Sequence, residues 1–329
     1  MDRRRPCGAR AYHHRILMDL SVIIVSWNVK GLLAECLASV YDALGRSHFA
    51  CEILVVDNAS SDGSPEMVRE RFPQVSLLAN AENRGFAAAN NQAMALAQGR
   101  LVLLLNPDTV VRRDALDILV RFMDETPTAG MAGPRLVYPD GRFQHAAFRF
   151  PTLAQAFFDF FPVHYRLLES PLNGRYSPSL YAAGRPFVID HPLGACMMVR
   201  RQAIDEVGGM DEGFFMYCEE IDWAMRLKRA GWGIYCVPAA EVVHYAGQST
   251  QQFREEMFVA LWRSRFRLYA KHYGRFDNWM LRRVVRLGLW QERRRAQRQA
   301  ETGVISQEDL ARRMAAYQRV EEMTDSSVW

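Results

Sequence analysis

Four apolar runs in the first third of the chain are each followed by residues at helical spacing. Leu20 to Val25 (LSVIIV) is short, almost continuously apolar and rich in β-branched residues, the pattern of a strand buried on both faces. Leu33, Leu37, Val40 and Leu44 then recur in helical steps. Ile53 to Val56, Val75 to Ala79 and Leu101 to Leu105 (LVLLL) repeat the strand pattern. A helix opens at Ser64-Pro65-Glu66, with Ser as cap and Pro in the first turn; another runs from Phe86 to Gln98, and Leu116, Leu119, Val120 and Met123 mark a further one. Strand–helix alternation of this kind predicts an α/β fold, a mostly parallel sheet with helices on both faces. Ligands of such sheets bind beyond the carboxyl ends of the strands.

From Arg149 to Pro186 the periodicity fails, and aromatics and prolines accumulate (FFDFFPVHY), which predicts an irregular insertion rather than a second core. Regular structure returns at Phe187 to Arg200, in a helix from Cys218 to Ala230 ended by Gly231, and in strands at Gly233 to Val237 and Glu241 to Tyr245. Residues 1–19 are Arg-rich and lack an apolar segment, so they read as a disordered extension, with Met18 as an alternative start. The expected organisation is this extension, a catalytic domain over 20–250 and a basic, amphipathic helical appendage over 251–329. Within the appendage, Ser306 and Asp309 resemble a capping box.

The net charge of +4 across 329 residues does not by itself imply nucleic-acid binding, and none is expected. Six cysteines are scattered without CxxC pairs, the pattern of reduced thiols in a reducing compartment. No stretch approaches the ~18 consecutive apolar residues of a spanning helix. A cytoplasmic protein is expected.

Several polar groups fall where strands end. Asp57 follows a buried strand, where a carboxylate accepts from the imide of a uracil or thymine, or closes an ordinary Asx turn. Asn83-Arg84-Gly85-Phe86 joins a strand to a helix, suiting either a diphosphate at the helix N-terminus or a plain capped turn. Asp108, in Asn106-Pro107-Asp108, is placed to hold Mg²⁺ or Mn²⁺ or to serve as a turn residue. Glu219, Glu220 and Asp222 crowd the first turn of a helix among Phe214, Phe215, Met216 and Trp223, where partial desolvation would raise a carboxyl pKa toward that of a general base. His244 lies on a β-branched strand, as a core residue or a ligand. Neither a P-loop nor a dinucleotide fingerprint follows the first strand.

Taken in order, LSVIIVSWN, ILVVDNASSDGS, ENRGFAAANN, LLLNPDT, DEGFFMYCEEIDWAMRLKRAGW and VVHYAGQST resemble the inverting family 2 glycosyltransferases, in particular the rhamnosyltransferase-like branch. The resemblance implies a GT-A fold, with Asp57 on the nucleobase and Asn83, Arg84 and Gly85 lining the ribose-diphosphate site. It implies Asp108 as the last acid of a D-x-D metal motif whose first acid is replaced by Asn106, and His244 as a second ligand to the divalent metal. Glu220 stands where the family has a catalytic Asp, with Asp222 as the nearest substitute, and Gly194 and Ala195, beside Asp190, match an acceptor-side strand. The implied reaction moves a sugar from dTDP-rhamnose or a UDP-hexose to a glycan or lipid-linked acceptor by single displacement. The alternative is a non-catalytic scaffold that binds nucleotide sugars.

Residues 254–300 carry 13 Lys/Arg against 4 Asp/Glu, with Trp262, Phe266 and Tyr269, then Leu281, Val285 and Leu289, at helical spacing. That pattern predicts helices whose apolar face either enters the interfacial layer of an anionic membrane, making the protein peripheral on its inner face, or packs against the catalytic domain with the arginines solvated. Arg282, Arg283 and Arg286 are the expected basic contacts.

Overall fold

Uninterrupted apolar runs form the centre of the molecule. The computed structural model describes residues 18–161, 164–246 and 254–325. In it, β1 (Leu20–Ser26), α1 (Lys30–Leu44), β2 (Cys51–Asp57), α2 (Ser64–Arg71), β3 (Ser76–Ala79), α3 (Phe86–Leu96) and β4 (Leu101–Leu105) follow one another as the pattern predicts. The four strands pair in parallel in the order β3-β2-β1-β4. β5 (Thr109–Val111), α4 (Ala115–Glu125) and β6 (Ala129–Val137) come next, then the short β7 (Phe143–Gln144) and β8 (Ala147–Phe148).

The segment after β8 is more ordered than its composition suggests. It holds α5 (Leu153–Phe158), α6 (Tyr165–Leu168), a 3-10 turn (Pro171–Asn173) and α7 (Pro178–Ala182), leading to β9 (Phe187–Val188), β10 (His191–Pro192) and β11 (Cys196–Arg200). The chain continues through α8 (Arg201–Val207), α9 (Glu219–Arg229) and β12 (Gly233–His244), and ends in α10 (Arg254–His272), α11 (Arg275–Glu301) and α12 (Gln307–Asp325). The main sheet runs β3-β2-β1-β4-β11-β6-β12-β5, with β11 and β5 antiparallel to their neighbours. A mostly parallel α/β sheet is therefore present. The two strands expected after Gly231 are one: β12 shifts register between Val237 and Glu241, where Pro238 lacks an N–H for the ladder.

Three expectations need correction. Asp19 belongs to the body, since its N–H donates to Ala50 O and its carboxylate pairs with Arg100 at 2.9 Å; residues 1–17, like 247–250 at the end of VVHYAGQST, lie outside the described residues. The insertion over 149–186 does enter a second core. Ala156 and Phe160 are buried with Trp262, Phe266, Leu281 and Leu289 of the C-terminal helices, and the Phe160 ring lies so close over Gly288 that any side chain there would collide with it. Finally, the apolar face assigned to a membrane is internal: Trp262, Phe266, Tyr269, Leu281, Val285 and Leu289 are all buried within the helical bundle. Burying each such side chain stabilises by roughly 1.5–3 kcal/mol, and bundle packing takes this face. Arg282 and Arg286 turn the same way, donating to Thr324 of α12.

Candidate active site

Parallel pairing aims the ends of β1, β2, β4, β6 and β12 at one edge of the sheet, where antiparallel β11 begins. The register sets Ser26 opposite Asp57 and Leu105 opposite both Ile24 and Cys196. The expected groups therefore converge along this edge: Asp57 after β2, Asn106 and Asp108 after β4, Gly194 and Ala195 before β11, and His244 closing β12.

Asp57 does two things at once. Its Oδ2 accepts from Ser60 N at 2.9 Å, completing an Asx turn, while Oδ1 is buried with no partner among the described residues. The neighbouring Asn58, to which no sequence feature assigns a role, ties the site together. Its Nδ2 donates to Asn83 Oδ1 and Gly85 O, and its Oδ1 accepts from Arg84 N and Asn80 Nδ2. Gly85 has φ +83°, and a Cβ there would lie 2.6 Å from Phe215 O. Its missing side chain thus admits the backbone before α9, and the Phe86 N–H is taken by Phe215 O at 2.9 Å. Arg84 stays exposed at this edge.

Asp108 and His244 are brought together by the β5–β12 ladder, in which His244 is level with Thr109. His244 Nε2 lies 3.5 Å from Asp108 Oδ1, and both side chains are buried. His244 Nδ1 lies 3.3 Å from Gln144 Oε1; when Nδ1 donates to that acceptor, Nε2 is free to bind a cation beside Asp108. Gln144 carried no signal in the sequence. Asn106 donates its N–H to Ala195 O and leaves Oδ1 buried without a partner among the described residues. Among those residues no three His, Cys, Asp or Glu side chains cluster, so Asp108 and His244 are the pair of such groups that meets here. This fits a metal completed by substrate phosphates, as Mg²⁺ commonly is.

The acids of α9 are separated by the helix. Glu220 points back to the sheet edge: a Cβ on Gly194 would sit 3.8 Å from its Cγ, so the glycine leaves the carboxylate room. Desolvation pushes the Glu220 carboxyl up to about 7. Glu219 is raised well above the usual range by burial and by the charge of Glu220. Both leave Oε2 without a partner among the described residues. Two positions on, and so on another face of the helix, Asp222 accepts from Arg226 Nε at 2.8 Å and His272 Nε2 at 2.6 Å, with Lys271 Nζ at 2.7 Å. Those partners hold its carboxyl well below the usual range despite burial. Asp222, expected as a substitute base, has both oxygens engaged.

The chain enters α9 through two consecutive non-glycine residues with positive φ, Tyr217 (69°) and Cys218 (66°). Each costs of order 1–3 kcal/mol and persists only where its surroundings impose it. The surroundings are the preceding loop, gripped on three sides. Asn91 of α3 exchanges hydrogen bonds with Met210, Ser264 of α10 donates to Met216 O, and Arg267 and Lys271 bind Asp211. Asp190, expected beside the acceptor strand, is likewise held by Lys228 at 2.6 Å and by Phe150 N. None of these partners stood near its counterpart in the sequence.

The chain has recognisable relatives. The model of the family described as glycosyl transferase family 2 matches residues 21–208. The N-acetylglucosaminyl-diphospho-decaprenol L-rhamnosyltransferase of Mycobacterium tuberculosis is 32% identical over 249 residues, covering 70% of this chain and 77% of that protein. Rhamnosyltransferase WbbL of Escherichia coli is 29% identical over 196 residues, 57% of this chain and 70% of its own. Among solved structures, the mannosyltransferase PcManGT from Pyrobaculum calidifontis, in complex with GDP-Man and Mn²⁺, superposes with a TM-score of 0.52 at 20% identity, covering 93% of this chain and 83% of that one. That likeness identifies the fold as GT-A.

Proposed function

This chain belongs to glycosyl transferase family 2, and from that premise we propose that it transfers a deoxyhexose or hexose, with rhamnose first, from a dTDP- or UDP-sugar to a lipid-linked or glycan acceptor by inverting single displacement. It is a rhamnosyltransferase-like glycosyltransferase. The observation that carries the mechanism is a set of buried polar atoms with no partner among the described residues: Ser26 Oγ, Asp57 Oδ1 and Asn106 Oδ1 where the strands end, and the Oε2 atoms of Glu219 and Glu220 on α9. Each costs about 1–3 kcal/mol when left unpaired, and a bound polar ligand answers that cost.

In this assignment Asp57 Oδ1 accepts from the imide of the base, while Asn58 holds Asn83, Arg84 and Gly85 against the ribose and diphosphate. Glu220 takes the proton of an acceptor hydroxyl as its oxygen attacks the anomeric carbon. The bond from that carbon to the diphosphate oxygen breaks in the same step, and Arg84 meets the charge developing on the nucleoside diphosphate. Asp108 and His244 would hold Mg²⁺ or Mn²⁺, which supplies further positive charge beside the diphosphate. Asp222 positions α9 rather than acting on substrate. Catalysis is assigned to residues 20–250, with the C-terminal helices as a brace. The donor class and the five unpaired described cysteines support a reaction on the cytoplasmic side.

The test is donor turnover. Purified protein with Mg²⁺ or Mn²⁺, a polyprenyl-diphosphate-linked N-acetylglucosamine and dTDP-rhamnose or UDP-hexoses should release nucleoside diphosphate and form a product of inverted anomeric configuration. A retained configuration in the product's NMR spectrum overturns single displacement. Folded protein silent with every donor overturns the donor assignment.

A further inference from the structure

The helix α11 has a second apolar face, opposite the one buried in the bundle. Leu281, Val285, Leu289 and Ala296 point inward, whereas Phe276 (69% exposed), Trp279 (50%), Leu287 (52%) and Trp290 (50%) face solvent. With Arg283 and Arg294 they recur every three or four residues and form one stripe about 27 Å long at the helical rise. The arginines lie over the aromatic rings, Arg283 5.4 Å from the Trp279 centroid and Arg294 4.0 Å from that of Trp290. Among the described residues, Arg275, Arg283, Arg294 and Arg298 form no ion pair, whereas Arg286, Arg293 and Arg295 of the same helix do. Beside Trp290 lies a hollow of about 490 Å³ whose walls include Arg294, Arg295 and Arg298. Of the acids on α11, Asp277 and Glu292 fall off the stripe and Glu301 only closes its end.

We propose that this outer face of α11 docks the enzyme on an anionic lipid surface, with Phe276, Trp279, Leu287 and Trp290 in the interfacial layer and the arginines on lipid phosphates. Three features select this occupant. Large aromatics exposed in a row on a surface helix mark an interaction site. Trp and Arg together match the amphipathic depth of the headgroup region, where the ring is half-buried and the guanidinium meets phosphate. The unpaired positive charge, with no acid along the middle of the stripe, repels a basic partner and attracts an anionic one. No described helix is long and apolar enough to cross a membrane, so docking is peripheral. The inference extends the lipid-linked-acceptor reading by naming the surface that would bring the enzyme to such an acceptor.

Sedimentation of the full chain with vesicles tests it without donor or acceptor, so its failure leaves glycosyl transfer standing. The protein should pellet with phosphatidylglycerol-containing vesicles at low salt and remain in the supernatant with pure phosphatidylcholine. Arg283→Glu with Arg294→Glu should weaken binding at least ~30-fold, the change carried by losing two basic contacts. Trp279→Ser with Trp290→Ser should abolish pelleting at moderate salt while circular dichroism and turnover on a water-soluble acceptor stay unchanged, because all four side chains are exposed. Protein left in the supernatant with anionic vesicles at low salt overturns the proposal, as does unaltered binding by both variants. A dimer in light scattering that the tryptophan variant converts to monomer, without vesicle binding, would assign the face to a second copy of the chain instead.

Discussion

Beside the carboxyl edge of the sheet Glu220, and next to it on α9 Glu219, are desolvated, raised in pKa and each left with an oxygen that no described residue answers. Two residues beyond Glu220 on the same helix, Asp222 is also buried, yet three side chains meet its two oxygens and hold its pKa down. The difference is one of purpose. A buried charge whose partners are built into the fold is architecture. A buried polar atom whose partner the fold omits is a place prepared for substrate, and its cost in stability is part of the design of the site. The two clusters share α9, so the architecture of one sets the aim of the other.

The largest effect that would break this contrast is on stability. Asp222→Ala removes the shared acceptor of Arg226, Lys271 and His272 and should destabilise the fold by about 3 kcal/mol, the low end for a broken buried pair, because Lys271 keeps 35% of its side-chain surface in water. Urea unfolding measures this. Loss of turnover without loss of stability would instead make Asp222 a catalytic group. Glu220→Gln should do the reverse, lowering turnover at least ~10²-fold while donor binding, read by thermal shift, persists. The wild-type enzyme's kcat/KM should rise with pH through about 7, since the base acts only when ionised.

Much of this architecture was written locally in the sequence. LSVIIV, ILVV and LVLLL are strands because their side chains are buried on both faces; Asp57 ends β2 as expected, and Asp108 lies in the turn between β4 and β5. The positions of these groups at one edge follow from parallel pairing alone. What stayed hidden depends on pairs far apart in the chain. Gln144 and His244 lie 100 residues apart, and His272 and Asp222 lie 50 apart. The ambiguity over α11 has a different cause. A helix with apolar residues on two opposite faces satisfies helical periodicity twice, and spacing cannot say which face the fold covers. Packing against Phe160 chose Leu281, Val285 and Leu289.

Gln144 offers a smaller test of the metal pair. Gln144→Ala removes the acceptor of His244 Nδ1 and frees the ring to turn or change tautomer, which should weaken Mn²⁺-dependent donor binding about 10–100-fold. Calorimetry with Mn²⁺ and nucleoside diphosphate reads it directly. Unaltered metal affinity, with the fold intact, would remove His244 from the ligand set.

The smallest expected effect tests the contrast through pH. A carboxyl whose folded pKa is raised binds more protons in the native state than in the unfolded chain, so stability falls as pH climbs from its unfolded value, near 4.5, through the folded one. Glu219 and Glu220 should therefore lower the melting temperature between mildly acidic and mildly basic pH. Asp222, with a lowered folded pKa, contributes stability present above its unfolded value, near 3.8, and lost only in stronger acid. Between those limits the two clusters act in different pH windows. Glu220→Gln cannot ionise, so at pH 8 it should melt a few degrees above the wild type, and the gap should close by pH 5. A variant that loses turnover and gains stability in this window identifies Glu220 as a group kept at a cost for chemistry. Scanning calorimetry at the two pH values decides it, and a Glu220→Gln protein less stable than wild type at pH 8 would mean that the carboxylate is answered within the fold after all.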